Sequence, residues 1–334
     1  MPSAHKAQAA LAFVQLAIAR ADVALDTTVL QNMPIAAWFA GNRLIHPAPG
    51  LPVLKLGHGH QVEAEQDASR STKVIARQPA VAGSFYPADP DRLRRQVTEL
   101  LVGVSATAKT TPKAVIAPHA GYSYSGQIAA AAFATLRDGA QRFARVVVIG
   151  PAHYVAIRGI ALPTVDAFET PLGRVPVDRD AVSEIADLPF VLPSDAAHAP
   201  EHALEVELPF LQIVLPSFSL VPLVVGDAAV QEVADVLARL WSGPETLLVV
   251  SSDLSHYHSY EIAQRLDAAT AAAIEKGDWA SLGPGQACGY LPIAGLILET
   301  NRRNLKARRL SMCNSGDTAG PRDQAVGYGA WAFG

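Results

Sequence analysis

Two histidines arrive in the same way. His119 follows Ala114-Val115-Ile116-Ala117-Pro118, and His153 follows Arg145-Val146-Val147-Val148-Ile149-Gly150-Pro151-Ala152. A third apolar run, Leu247-Leu248-Val249-Val250, leads into Ser251-Ser252-Asp253-Leu254-Ser255-His256. Short apolar runs that stop at Gly, Pro or Ser predict buried strands. In an open α/β sheet, ligands bind beyond the carboxyl ends of such strands. A lone histidine beside apolar sequence is commonly a satisfied structural residue, but three strand ends that deliver His, His and Asp with His form a constellation. Imidazole is the commonest side-chain ligand of transition metals and the natural acid–base group near neutral pH, so convergence implies a metal site or a proton-transfer site.

Two histidines and one further anionic ligand leave open positions on a metal, as binding of substrate or dioxygen requires. Candidates for the third ligand are Cys288, Asp253 and Glu205. Cys288 stands between Ala287 and Gly289, just ahead of a predicted helix N-terminus whose dipole favours a thiolate. A small buried hydrophobe is the alternative role for that cysteine, and Cys313, inside a terminal strand, has only this role. Asp253 and His256 are candidates beyond the metal ligands, the carboxylate to orient an imidazole and the imidazole to move protons; Ser252-Asp253 could equally cap a turn. His202 and Glu205, at i and i+3 of a predicted helical segment over residues 201–209, would share one face. Tyr122 and Tyr124 are candidates to line the pocket or to pack.

The elements that must position these groups alternate between strand and helix. A helix after Asp89-Pro90 is predicted from its cap and from Leu93, Val97, Leu100 and Leu101. Ser125 is placed to cap an Ala-rich helix that ends near Gly139. That helix joins the His119 strand to the His153 strand as a βαβ unit, which implies parallel pairing with a right-handed crossover. Residues 160–177 read as a turn-rich excursion. Helices over 179–188, 230–241, 260–276 and about 290–298 alternate with strands over 220–225 and 247–250, and two strands, 305–313 and 325–333, close the chain. This order predicts a three-layer α/β/α domain with a mostly parallel central sheet over residues 79–334.

Residues 1–78 differ in character. An Ala-rich helical segment over about 4–22 is followed by Pro47-Ala48-Pro49-Gly50 and a polar run over 57–73 that reads as a linker, so the segment is expected to be an accessory or flexible extension. His58 and His60 flank Gly59 in that run and read as solvated. Half of the 334 residues are hydrophobic and 17% are charged, which fits a buried core. With a formal net charge of −4 and no Lys/Arg block, nucleic acid is not an expected partner. Two cysteines cannot build a disulfide framework, and the apolar stretch over residues 9–19 is too short for a membrane span and poor as a signal peptide. A cytoplasmic protein without a membrane partner is the expectation.

Taken together, Pro79-Ala80-Val81-Ala82-Gly83-Ser84-Phe85-Tyr86-Pro87, Pro118-His119-Ala120-Gly121-Tyr122, Gly150-Pro151-Ala152-His153, Glu169-Thr170-Pro171-Leu172-Gly173, Glu201-His202 with Glu205, Ser251-Ser252-Asp253 with His256, and Cys288-Gly289 with Pro292-Ile293 resemble the Memo family, whose prokaryotic members are also called AmmeMemoRadiSam system protein B. The motifs stand in family order over residues 79–334. The resemblance implies a fold like that of the class III extradiol dioxygenases and a metal site of His119, His153 and Cys288. It also implies pocket roles for Asp253, His256 and His202. Animal members are described as redox-active metal proteins and as adaptors for phosphotyrosine peptides. The implied function is a metal-dependent, dioxygenase-like oxidoreductase on a small aromatic or other small molecule, or else a metal-binding or peptide-binding adaptor. The implied cofactor is iron, copper or zinc, since a cysteine ligand suits copper or zinc as much as iron. The implied partners are a small-molecule substrate or peptide and the other members of the AmmeMemoRadiSam system. Tyr290-Leu291 stands where animal members carry a basic pair.

Overall fold

The computed structural model describes residues 74–104 and 111–334. The expected helix over 4–22, the linker over 57–73, and His58 and His60 lie outside these residues.

Four strands form the parallel centre of the sheet: β2 (Ala114–Ala117), β9 (Thr246–Ser251), β3 (Arg145–Pro151) and β8 (Ser219–Val225), paired in that order. Their side chains are almost wholly buried, as expected of parallel strands covered on both faces. On one flank β12 (Ala325–Phe333) pairs antiparallel with β2 and carries β11 (Ala307–Asn314) and β10 (His256–His258). On the other, β4 (Ile160–Leu162) runs antiparallel to β8 and parallel to β7 (Val191–Pro193). A second, small sheet joins β1 (Ala76–Arg77), β5 (Ala167–Thr170) and β6 (Gly173–Pro176). β1 begins ahead of residue 79, and its Arg77 is buried.

Helices flank the main sheet. α1 (Pro90–Val102) starts as expected, with Asp89 Oδ1 accepting from the Arg92 N–H at 2.8 Å and Leu93, Val97 and Leu101 buried. It packs on α2 (Tyr122–Ala134), which lies against β2 and β12. Two further short helices are α3 (Arg179–Ile185) and α4 (Asp195–His198). α5 (Leu208–Val214) joins α1 and α2, while α6 (Val230–Leu240) packs against α3. α7 (Tyr260–Lys276) covers β11 and β12, and α8 (Tyr290–Arg302) lies on β3, β9 and α6. Among the described residues no helix is long and apolar enough to cross a membrane.

Three local expectations are corrected. Ser125 does not cap α2: the helix begins at Tyr122, and Ser125 Oγ donates back to the Ala120 carbonyl at 2.9 Å. β2 and β3 are parallel but not neighbours, because β9 inserts between them. Residues 201–209 are not one helix. An irregular stretch from Glu201 to Leu204 precedes a 3-10 turn (Glu205–Glu207) and then α5, so His202 and Glu205 do not share a helical face.

Candidate metal centre

Because β2, β3 and β9 are parallel, their carboxyl ends meet along one edge, and the segments that follow carry His119, His153 and Asp253 to it. The irregular stretch before α5 brings His202 to the same place. One ring nitrogen from each of His119, His153 and His202 lies within 4.8 Å of the other two. The rings pack closely: His153 and His202 stack with centroids 4.6 Å apart, and His119 meets them edge-on at 5.1 and 5.3 Å.

Each imidazole is held through Nδ1. His119 Nδ1 lies 2.8 Å from Ser251 Oγ, His153 Nδ1 lies 2.8 Å from Glu201 Oε1, and His202 Nδ1 lies 3.2 Å from the Tyr154 hydroxyl. Glu201 also accepts from the His153 and Ala203 N–H groups, at 2.7 and 2.9 Å. Burial works against the charge on Glu201, but the hydrogen bonds from His153 and Ala203 outweigh it and keep its carboxyl below the ordinary range. A carboxylate accepting from Nδ1–H leaves Nε2 unprotonated and able to ligate, and it fixes the plane of the ring, as outer partners do in metal sites. Burial, followed by the neighbouring imidazoles, holds His119 well below its ordinary value, and burial with His153 takes His202 down to about 4. These two rings are therefore neutral at physiological pH, which is the state that binds a metal.

Cys288 arrives from the turn before α8. Its Sγ lies 3.3 Å from His119 Nε2, 3.6 Å from the Asp253 carbonyl and 3.8 Å from Ser252 Oγ. Metal bonds of about 2.0 Å to nitrogen and 2.3 Å to sulfur, at near-tetrahedral angles, put the two donors roughly 3.5 Å apart, so the observed spacing suits a shared ion. Without an ion the helix dipole does not prevail: burial and the nearby Asp253 push the thiol up to about 12. Gly289 makes the close approach possible, since a Cβ there would lie 2.7 Å from Ser252 Cβ.

Asp253 orients His119 through the backbone, not the ring: its Oδ1 accepts from the His119 N–H at 2.9 Å. Burial raises its carboxyl to about 7. His256 donates from Nδ1 to the Leu254 carbonyl at 2.8 Å, which leaves Nε2 as an acceptor, and burial lowers its pKa. His119, His153, His202, Asp253, His256 and Cys288 border one cavity of about 870 Å³, together with Phe85, Tyr124, Tyr257, His258 and Tyr328. Tyr257 adopts φ 60°, in the left-handed region, where β10 breaks register against β12. Tyr122 is not in the wall. It is buried against Phe210, and its hydroxyl donates to the Val206 carbonyl at 2.7 Å.

Glu205 is no ligand. Its carboxylate is consumed by Arg77, by the Tyr86 hydroxyl and by the Ala80 and Val81 N–H groups at 2.7 and 3.1 Å. Arg77 also donates to the carbonyls of His198 at 3.0 Å and Glu201 at 2.6 Å. β1 thus clamps the segment that bears Glu201 and His202.

The sequence model of the family described as Memo-like protein matches residues 77–332. The chain belongs to this family. It is 34% identical over 263 residues to a MEMO1 family protein of Aquifex aeolicus, an alignment spanning 75% of this chain and 97% of the relative. It is 36% identical over 279 residues to a MEMO1 family protein of Thermotoga sp. strain RQ2, spanning 76% and 98% respectively. A solved structure of an uncharacterized Escherichia coli K12 protein aligns with 67% of this chain and all of its own at 15% identity and a TM-score of 0.42, too distant to argue from.

The Memo-like region contains every group just described. Within it, Arg77 and Ser251 carry roles that the motifs do not assign, and Glu207 is completely buried. Arg77 preceded the expected domain boundary, and Ser251 reads as the last residue of a strand. Glu207 has the look of one more surface charge in the acidic run over 201–207. The available signal was that such a run also contains Leu204 and Val206 and continues into the apolar helix α5.

Proposed function

We propose that the protein binds a transition metal ion through His119, His153 and Cys288, with His202 as a further imidazole beside them, and oxidises a small aromatic molecule with dioxygen. The observation that carries this reading is the convergence of three imidazoles whose Nδ1 atoms are all tied elsewhere, next to a thiol at metal-sharing distance. Such a donor set has the softness for iron, copper or zinc. When bound, a redox-active ion would bring dioxygen and a phenolic oxygen together and carry charge between them.

The chain's own residues supply the rest. Phe85, Tyr124 and Tyr257 offer apolar and aromatic walls to a flat ring. His256 Nε2 takes a proton from the substrate hydroxyl and returns it to the product, since its Nδ1 proton is engaged by Leu254. In the ring-opening reaction of a dihydroxylated aromatic, both atoms of dioxygen enter the product, so no other oxidant is needed. The test is metal analysis of protein purified without oxygen, followed by oxygen uptake with a panel of catechols. Metal at about one per chain together with uptake supports the proposal. Protein that holds metal but consumes neither oxygen nor any of the catechols would instead favour the adaptor reading, with the pocket serving binding alone.

A further inference from the structure

Three groups meet at the hydroxyl of Ser251. Its Oγ lies 2.8 Å from His119 Nδ1, 2.7 Å from the Ala203 carbonyl and 2.8 Å from Glu207 Oε1. A hydroxyl has one proton to give and two lone pairs to accept with. The Ala203 carbonyl can only accept, so it takes the proton of Ser251. The remaining two contacts must then be donations into Ser251, one from His119 Nδ1–H and one from Glu207 as a carboxylic acid. Were Ser251 to donate to an ionised Glu207 instead, two bare oxygens would face each other at Ala203. A full negative charge would also sit where Glu207 Oε2 has no hydrogen-bond partner among the described residues. Glu207 is completely buried, and burial pushes its carboxyl well above the ordinary range.

We propose that Glu207 is a neutral acid that acts through Ser251 as a positioning residue, keeping the proton of His119 on Nδ1 and turning its bare Nε2 to the metal centre. The consequence for metal affinity rests on the metal-binding reading above, whereas the tautomer is a property of the metal-free chain. The two ligand histidines are then backed differently. His153 leans on the ionised Glu201 and His119 on an uncharged chain, so only one of them receives negative charge from its outer partner.

The experiment compares wild type, Glu207→Gln and Glu207→Leu by ¹⁵N-histidine NMR of the metal-free protein and by titration with Co(II) followed in the visible spectrum. Glutamine retains an N–H donor toward Ser251 and no charge, so Glu207→Gln should keep the Nδ1–H tautomer of His119 and an unchanged Co(II) affinity. Leucine removes the donor and should cost about 10–100-fold in affinity, the usual penalty for a lost outer partner. If Glu207→Gln fell as far as Glu207→Leu, the carboxylate charge would be the working feature and the proposal would be overturned. An Nε2–H tautomer in wild type would overturn it too. Should Glu207→Leu not fold, infrared difference spectra of wild type against Glu207→Gln decide the point: a protonated carboxyl band in wild type supports the assignment, and its absence refutes it. A wild-type chain with the Nδ1–H tautomer that takes up no Co(II) would remove the metal reading and leave the Glu207 assignment standing.

Discussion

In the proposed reading, Cys288 helps hold the metal and His256 moves protons. With its thiol pushed up to about 12, Cys288 is protonated in the metal-free chain at neutral pH, so ligation must expel that proton. Ion binding to wild type should therefore release a proton that Cys288→Ala does not, measured in a weakly buffered titration with a pH indicator. The sign follows: for wild type, affinity rises with pH over the range below the thiol's pKa, and for Cys288→Ala that component is missing. His256 lies outside the cluster of His119, His153 and His202, and its Nδ1 is engaged by the Leu254 carbonyl. His256→Ala should retain full metal content by elemental analysis while turnover of a responsive catechol drops about 10²–10⁴-fold, the ordinary contribution of a general acid–base group.

A buried clamp ties β1 to the elements that carry Glu201 and His202. The Arg77–Glu205 pair joins β1 to the 3-10 turn ahead of α5, and both side chains are essentially out of contact with solvent. Removing one partner of such a pair leaves the other charged and unpaired in the interior, at a cost of about 3–5 kcal/mol. Glu205→Ala should lower the unfolding free energy by that order and also weaken metal binding, because Arg77, which holds the loop bearing His202 through the His198 and Glu201 carbonyls, loses the carboxylate that fixes it. Chemical denaturation and Co(II) titration of the same variant check both parts. If stability fell while metal affinity stayed at the wild-type level, the clamp would be a matter of folding alone.

For the molecule as a whole, the parallel order β2-β9-β3-β8 sets the site, because it brings three strand ends to one edge. The packed fold reaches back to β1 and the residue before it: the Ile75 N–H donates to Asp166 at 2.9 Å and Arg77 enters the core. We propose that residues 1–73 are an accessory extension joined through a polar linker, as their composition suggests. A chain beginning at residue 74 should then keep its thermal midpoint and its metal affinity. One beginning at residue 79 should lose stability on the scale of Glu205→Ala, since it leaves Glu205 without Arg77. A residue-74 chain that melts far below full length would show that the extension packs with the rest.

The amino-acid sequence by itself determined the alternation of strands and helices, the start of α1 at Asp89-Pro90, and the arrival of His119, His153 and Asp253 at strand ends. Those features are local: hydrophobic runs, caps and breakers act on neighbouring residues and leave a periodic trace. Its motifs also carried the family. Tertiary structure alone decided which residues meet. That β9 lies between β2 and β3 follows from pairing choices made over a hundred residues apart, which no local pattern encodes. That Glu205 turns away to Arg77 and His202 turns in, although they are three residues apart in one acidic run, follows from an irregular backbone held by contacts to β1. The state of Glu207 was out of reach for the same reason: in water it would be an ordinary carboxylate, and only a buried hydroxyl with its single proton already committed makes it an acid.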